Sequence, residues 1–212
     1  MGACFRMNSA KPMRRLLSLA VCALLLTGWS GSWETLRKES EKLTSVSARF
    51  TQSKNMRILA KPLVSNGSFY FKSPDSVRWE YEAPVKSILL MHEGSVKRYT
   101  QGAGGLTEDT GAALQSMNVV LQEIALWSKG RFTESPGFAA VLKEGDGPAI
   151  LLTPRDEGLS KIISSIEIAL APDRPGVISK IIIREGEGGT TALQFSDVHI
   201  NAALSDSVFR SP

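Results

Sequence analysis

The side chains able to carry out covalent or metal chemistry are few in this chain, and their spacing does not suit it. The two histidines, His92 and His199, each fall near the end of an extended stretch, with no second histidine or carboxylate at ligand spacing. Both cysteines, Cys4 and Cys22, lie in or before an apolar amino-terminal run, so the remainder of the chain has no thiol. Glu80 and Glu82 alternate with Trp79 and Tyr81, which puts both carboxylates on one strand face, as a glycosidase pair would require. Arg78 and Lys86 accompany them, and the group reads as a solvated face of mixed charge. Gly102-x-Gly104-Gly105 lacks the lysine and hydroxyl residue of a phosphate loop and reads as a flexible hinge. Asn66-Gly67-Ser68 has the pattern of a glycosylation acceptor, which means little in a bacterial host. With no nucleophile–base constellation, metal set or cofactor motif, the chain reads as a binding protein and not an enzyme; a secreted hydrolase is the alternative from another class.

What stands out is apolar. Phe69 and Phe71 share one strand face, Val77, Trp79 and Tyr81 another, and Leu89 and Met91 belong to the run Ile88 to Met91. Leu114, Met117, Leu121, Ile124 and Trp127 step by three or four, the spacing of one helix face. Any one of these could be ordinary core. Methionine and aromatic side chains are also what an adaptable pocket for acyl chains uses, and these twelve residues are the candidate lipid-binding set.

The elements that must position them follow from periodicity. Trp33, Leu36, Leu43 and Val46, with charged residues between, predict a short amphipathic helix from Trp33 to about Ser45, with Ser32 as N-cap. After it the period falls to two. Strands are expected at Ser47–Met56, Leu63–Lys72, Val77–Tyr81, Lys86–His92 and Ser95–Thr100, with the prolines in the gaps where a missing donor costs nothing. Asn66-Gly67 reads either as a tight hairpin or as a bulge inside one long strand. Gln101–Gly105 is expected as a loop and Thr110–Lys129 as a helix ended by Gly130. Strands resume at Phe138–Lys143, Ala149–Thr153, Ile163–Ala171, Val177–Arg184 and Thr190–His199, with a last short one around Val208. The expected fold is mainly β (α+β), one large curved antiparallel sheet of ten or eleven strands. A twisted sheet of that size curls into an incomplete barrel, and its two or so helices form a lid over an apolar cavity.

Lys11, Arg14 and Arg15 precede an apolar run from Leu16 to Leu26, followed by small and turn-forming residues up to Ser32. That order is a secretory signal peptide, and residues 1–32 are assigned to it, with Met13 as an alternative start. The run is shorter than the roughly 20 residues of a membrane-spanning helix. Arg14-Arg15 raises a twin-arginine route that the flanking residues fit poorly. Cys22 sits inside the apolar run instead of at its end, which argues against a lipid-anchored form. Without Arg6, Lys11, Arg14 and Arg15, the 25 basic residues fall to 21 and match the 21 acidic ones, so the basic balance belongs to the leader and nucleic acid is not an expected partner. Residues 33–212 are expected to form one soluble, monomeric, periplasmic domain stabilised by its core alone.

Several segments, in order, resemble the periplasmic carriers of outer-membrane lipoproteins, the LolA type. They are Ala48-Arg49-Phe50-Thr51-Gln52, where members carry Phe-x-Gln; Gly67-x-Phe69-Tyr70-Phe71-Lys72-x-Pro74; Val77-Arg78-Trp79-Glu80-Tyr81; Leu151-Leu152-Thr153-Pro154 with Ile166-Glu167-Ile168; and Phe195 to Asn201. The resemblance implies an incomplete β-barrel with a helical lid that takes acylated lipoproteins from an inner-membrane transporter and hands them to an outer-membrane receptor. Distant relatives carry glycolipids or other hydrophobic products, so another amphiphile is the alternative cargo. Two departures stand out. Members have arginine directly before the proline, where it ties lid to barrel; here that position is Ser73. The stretch after the last phenylalanine, Phe209-Arg210-Ser211-Pro212, lacks the Pro-Gly segment common in members, which leaves the docking partner open.

Overall fold

The computed structural model describes Gly2 and residues 32–110, 112–143, 148–186 and 188–212, with residues 112–119 described as helical backbone. The leader assigned to residues 1–32 lies, apart from Gly2 and Ser32, outside the described residues, as do the side chains of Leu114 and Met117. Eleven strands form one antiparallel sheet: β1 (Ser45–Asn55), β2 (Leu63–Lys72), β3 (Ser76–Ala83), β4 (Ser87–His92), β5 (Ser95–Gly102), β6 (Gly105–Glu108), β7 (Phe138–Lys143), β8 (Ala149–Pro154), β9 (Ile163–Ala171), β10 (Arg174–Glu185) and β11 (Thr190–Ile200). The spatial order is β6-β5-β4-β3-β2-β1-β11-β10-β9-β8-β7. The chain thus starts in the middle of the sheet, meanders to one edge, crosses to the other edge, and meanders back to lie beside its own first strand.

That topology fixes where the helices go. The crossing from β6 to β7 joins the two edges, which are not paired, so the sheet stays open and the connection has to span its hollow side. It does so with α2 (Ala112–Ser128) and a 3-10 turn at Phe132–Glu134. The amino-terminal helix α1 (Trp33–Glu41) has Ser32 as its cap, whose side chain accepts from Thr35 N at 3.1 Å, and it buries Leu36 and Ser40. It ends earlier than the periodicity suggested because β1 already begins at Ser45. Gly130, in the left-handed region at φ 68°, ends α2: its N–H donates to Trp127 O at 3.0 Å and that of Arg131 to Leu126 O at 2.9 Å. This is the paired bonding of a Schellman cap. A side chain at Gly130 would also sit 2.7 Å from Ser40 Oγ, so glycine is what lets the end of α2 rest against α1.

Curvature comes from interruptions in the ladder. Register shifts occur in β1 between Ser47 and Arg49, and twice in β10 between Arg174 and Lys180. Another falls between Asn66 and Gly67 where β2 meets β3, so Asn66-Gly67 is an irregularity within one long strand and not a hairpin turn. Bulged strands bend and twist more strongly, which curls a wide sheet.

Three expectations need correction. Gln101–Gly105 is not a loop or hinge but the tight β5–β6 hairpin, with Gly102 opposite Gly105, so β6 is an extra strand. Residues around Val208 form α4 (Ser207–Arg210) and not a strand. The short helix α3 (Glu157–Ile162), capped by Asp156, was not expected and brings the helices among the described residues to four. His92 lies at the end of β4, as expected; its Nδ1 lies 2.8 Å from Ser76 Oγ and its ring stacks on Phe209.

Helix α4 and the setting of His92 belong to one feature. Residues after β11 run back across the convex face, where α4 packs on β3 and β4. Lys72 Nζ donates to Leu204 O and Asp206 Oδ1, and Arg78 Nη1 donates to Val208 O and Ser211 O. Phe209 is fully buried, and so are Ile88 and Leu90, which share the outward register of Glu80 and Arg78.

Candidate functional site

The concave face is the only large apolar surface that the sheet and helices enclose together among the described residues. Alternation sends Val46, Ala48, Phe50 and Gln52 of β1 inward, together with Phe69 and Phe71 of β2 and Val77, Trp79 and Tyr81 of β3. Leu89 and Met91 of β4 follow, opposite Trp79 and Val77. Phe50 meets Trp79 at 5.1 Å and Tyr81 at 5.2 Å between ring centroids, and Phe69 meets Trp79 at 5.3 Å. Phe195 of β11, opposite Phe50 in the ladder, joins the group from the other side at 6.1 Å from Phe69. Tilted and edge-on rings at these distances are favourable beyond their buried area. Gly67 makes the arrangement possible: it lies opposite Phe50, and an added Cβ would fall 1.9 Å from Glu80 O and 2.9 Å from Phe50 Cζ.

The far side of the concave face is aliphatic. Ile150 and Leu152 of β8, Ile166, Ile168 and Leu170 of β9, Ile181 of β10 and Leu193 of β11 are buried in the same cluster. Between the two sides, under the end of α2, a cavity of about 50 Å³ remains. Its walls include Leu43, Val46, Ala48, Phe69 and Trp79 on one side, Gly176, Val177, Ile178, Ile181, Phe195 and Val198 on the other, and Ile124, Trp127 and Ser128 from α2. Sites that take a drug-sized ligand measure about 300–1,000 Å³. The hollow is therefore nearly filled by its own side chains, and any larger guest requires some of them, or α2, to move.

Polar groups are sparse here. Tyr81 donates to Gln52 Oε1 at 2.8 Å, and burial pushes its phenol above the ordinary range, so it stays neutral. Trp127, on the cavity wall, has its indole N–H buried without an acceptor. Glu123 of α2 is buried as well; its Oε1 accepts from Ser135 Oγ at 2.8 Å, and Ser135 Oγ accepts from Phe138 N at 2.9 Å. That relay, with the Gly130–Ser40 contact, ties the end of α2 to the start of β7 and to α1. Ser73, which stands where the resembling family has arginine, instead borders a polar cleft with Arg37, Lys129 and Arg131. Among the described residues no three His, Cys, Asp or Glu side chains are grouped to hold a metal ion.

Of the twelve residues singled out in the sequence, ten have described side chains, and all ten belong to the concave cluster. Phe69, Trp79, Ile124 and Trp127 reach the cavity; Phe71, Val77, Tyr81, Leu89, Met91 and Leu121 pack around them. Burial on α2 is wider than the stripe: Leu121, Ile124 and Trp127 all join the concave cluster, and Glu123 and Ala125 are buried as well. Sequence reasoning missed the β10 and β11 wall, although Val177, Ile181, Leu193 and Phe195 lay in strands it had drawn. The missing link was that β11 lies beside β1, which alternation alone does not reveal.

The outer face carries the carboxylates. Arg49 of β1 binds Glu82 of β3 through both guanidinium nitrogens, with Ser68 of β2 donating to the same carboxylate. Glu80 is held by Arg78 and Lys86. Neither acid faces the hollow, so the two do not form a catalytic pair.

The family described as "Outer membrane lipoprotein carrier protein LolA" matches residues 41–212. The chain belongs to the LolA family. An outer-membrane lipoprotein carrier protein of Nitrosomonas europaea is 23% identical over 200 residues, 92% of this chain and 91% of that one. Among solved structures, a LolA superfamily protein from Nitrosomonas europaea aligns at 11% identity and a TM-score of 0.46, covering 86% of this chain and 99% of that one. A DUF1329 family protein from Desulfovibrio piger aligns at 13% identity and a TM-score of 0.47, covering 84% and 94%. The fold of this LolA-family chain is the open, helix-covered antiparallel sheet described above.

Proposed function

We propose that this LolA-family protein is a periplasmic carrier that shelters the acyl chains of lipoproteins in its concave hollow and ferries them from inner to outer membrane, without catalysing a reaction. The observation that carries this reading is the hollow itself. A continuous apolar surface lies under a helix that spans the open side of the sheet, and its own side chains fill it down to a small cavity. A protein that moves acyl chains through water needs concealed apolar surface that can be uncovered. Each methylene sheltered is worth about 0.8 kcal/mol, so affinity is easily reached and release is the harder demand. Flexible ties such as Glu123–Ser135, rather than a covalent link, suit repeated opening.

In this reading residues 1–32 are a leader removed on export, 33–212 are the carrier domain, and the partners are an inner-membrane transporter and an outer-membrane receptor. The acyl site comprises Phe69, Trp79, Ile124 and Trp127 at the cavity, Phe71, Val77, Tyr81, Leu89, Met91 and Leu121 around them, and the β10–β11 wall opposite. The unpartnered indole N–H of Trp127 offers a donor to an ester or amide oxygen at the head of an acyl chain. The test is displacement: the exported protein should enhance the fluorescence of an apolar probe such as ANS and lose the signal when an acylated peptide is added. A signal unchanged by saturating acyl ligand would count against the reading. Mass spectrometry of lipid co-purified from periplasm identifies the cargo and separates lipoprotein from any other amphiphile.

A further inference from the structure

Large apolar side chains that stay exposed gather at one end of the sheet. Among the described residues they are Ile58, Leu59, Leu63, Val64, Val85 and Ile162 at one rim, against Val120 on α2, Val141 in β7 and Ile200 at the opposite rim. Ile58 is 85% exposed and Ile162 67%. The topology puts the six together. The β1–β2 turn, the β3–β4 turn and the β10–β11 turn all close the same ends of the strands, since Asn55 lies opposite Thr190 and Asn66 opposite Ala83. Gly186 N donates to Ile162 O at 3.0 Å, which brings the end of α3 to the same rim.

The charge around these residues is cationic. From Lys54 to Ser68 the chain contains Lys54, Arg57 and Lys61 and no acidic residue. Arg57 lies against Gly188 of the β10–β11 turn and Lys161 adjoins Ile162, while Lys86, next to Val85, is paired with Glu80. Of the acids nearby, Glu185 is engaged by Lys54 and Thr191, and Asp156 caps α3, which leaves Glu157; Glu187 lies outside the described residues. We infer that this rim docks on an anionic lipid bilayer, with Ile58 and Leu59 entering the interface and Arg57 and Lys61 meeting the headgroups.

The geometry favours a bilayer over a protein groove. Ile58 borders a cleft with Met56, Arg57 and Glu185, but Leu59, Val85 and Ile162 stand on separate segments of the rim, and a soft planar surface accepts several such projections at once. Lysine and arginine stems lie along apolar surface while their charged ends stay in the headgroup layer. Juxtamembrane cations are attracted to anionic leaflets within a Debye length. The inference stands on the rim alone and does not depend on what the hollow carries.

The test uses the exported protein, checked by mass, and sedimentation with phosphatidylcholine vesicles made with or without phosphatidylglycerol. The parent should bind the anionic vesicles, more weakly as salt rises. Ile58→Ser with Leu59→Ser should lower that binding at least roughly tenfold, and Lys61→Glu should abolish the preference for phosphatidylglycerol. Both variants should keep the far-ultraviolet circular dichroism of the parent, because the residues are exposed. In a third variant, Ile58→Trp, the added emission should shift to the blue on vesicle binding and be quenched by brominated acyl chains. No binding to either vesicle, binding that the double substitution leaves unchanged, or tryptophan emission indifferent to lipid would each overturn the proposal, and a protein partner would then be the occupant of the rim.

Discussion

The two halves of the sheet bury apolar surface of different kinds. From β1 to β4 the concave wall is mostly rings: Phe50, Phe69, Phe71, Trp79 and Tyr81, interlocked edge to face and seated over Gly67. From β8 to β10 it is branched aliphatic, with Ile150, Leu152, Ile166, Ile168, Leu170 and Ile181. The halves differ outside as well. Behind the rings, Arg49, Ser68 and Glu82 link three strands, and the carboxy-terminal segment lies across β3 and β4. On the aliphatic half the described ion pairs are Lys54–Glu185 and Arg174–Asp173, at the two ends of β10. One half is therefore braced on both faces, while the other is held mainly from within. The cavity falls on the seam, where a fixed wall faces one that can adjust, and α2 closes it from above.

If the contrast is real, substitutions should divide accordingly. The largest effect is expected from Phe50→Ala, which removes the ring shared by Trp79 and Tyr81: chemical denaturation should show about 3–5 kcal/mol of lost stability. Ile124→Asp should retain the parent circular dichroism while acyl binding falls at least roughly tenfold, equivalent to about 1.4 kcal/mol. The charge would stand against apolar surface that the protein can relieve only by moving α2 or neutralising the carboxyl. Normal binding by this variant would remove α2 from the site, and outright unfolding would make α2 plain core. On the aliphatic side, Ile168→Leu conserves volume and should cost less than about 1.5 kcal/mol in the same denaturation assay; a loss equal to that of Phe50→Ala would erase the distinction between walls.

The smallest expected effect lies on the outer face. Glu82 is held below the usual carboxylate range, first by its hydrogen bond from Arg49 and then by that from Ser68. Since its folded pKa is depressed, its stabilising contribution is present above the ordinary glutamate range and is lost as pH falls through the folded value. Glu82→Gln should thus be slightly less stable than the parent at neutral pH and equal to it in acid, with exposure and salt keeping the difference small. Melting curves across the acid range would show it, and a difference that grows on acidification would contradict the assignment.

Local rules read much of this molecule from its sequence. Alternation and flanking prolines placed β2, β7 and β9 to the residue, and the inward sets of β2, β3 and β4 came with them. What escaped was either too short or too distant. The six residues of α3 give less than two turns of periodicity, and β6 begins inside a glycine-rich stretch that reads as loop. Val208 and Phe209 are strand-prone, but the tail has no strand edge to join and is held by Lys72 and Arg78 from across the sheet. The buried setting of Glu123 leaves no local signal, because its partner, Ser135, lies beyond the helix end. The β10–β11 side of the cavity required knowing the order of strands, and this is decided by packing the whole chain.

The pairing of β1 with β11 also has a consequence for the order of folding. The first strand made is central in the finished sheet, and one of its two neighbours is the last strand made; Thr44 is likewise bonded to Asn201 at 2.8 Å. Until the carboxy-terminal strand emerges, β1 offers a full row of unpaired donors and acceptors, and the two meanders remain separate ribbons. Such distant pairing slows folding and leaves an adhesive edge in the meantime. Residues 190–200 therefore decide when the two meanders join into one sheet. A ribosome that still holds them keeps those ribbons apart.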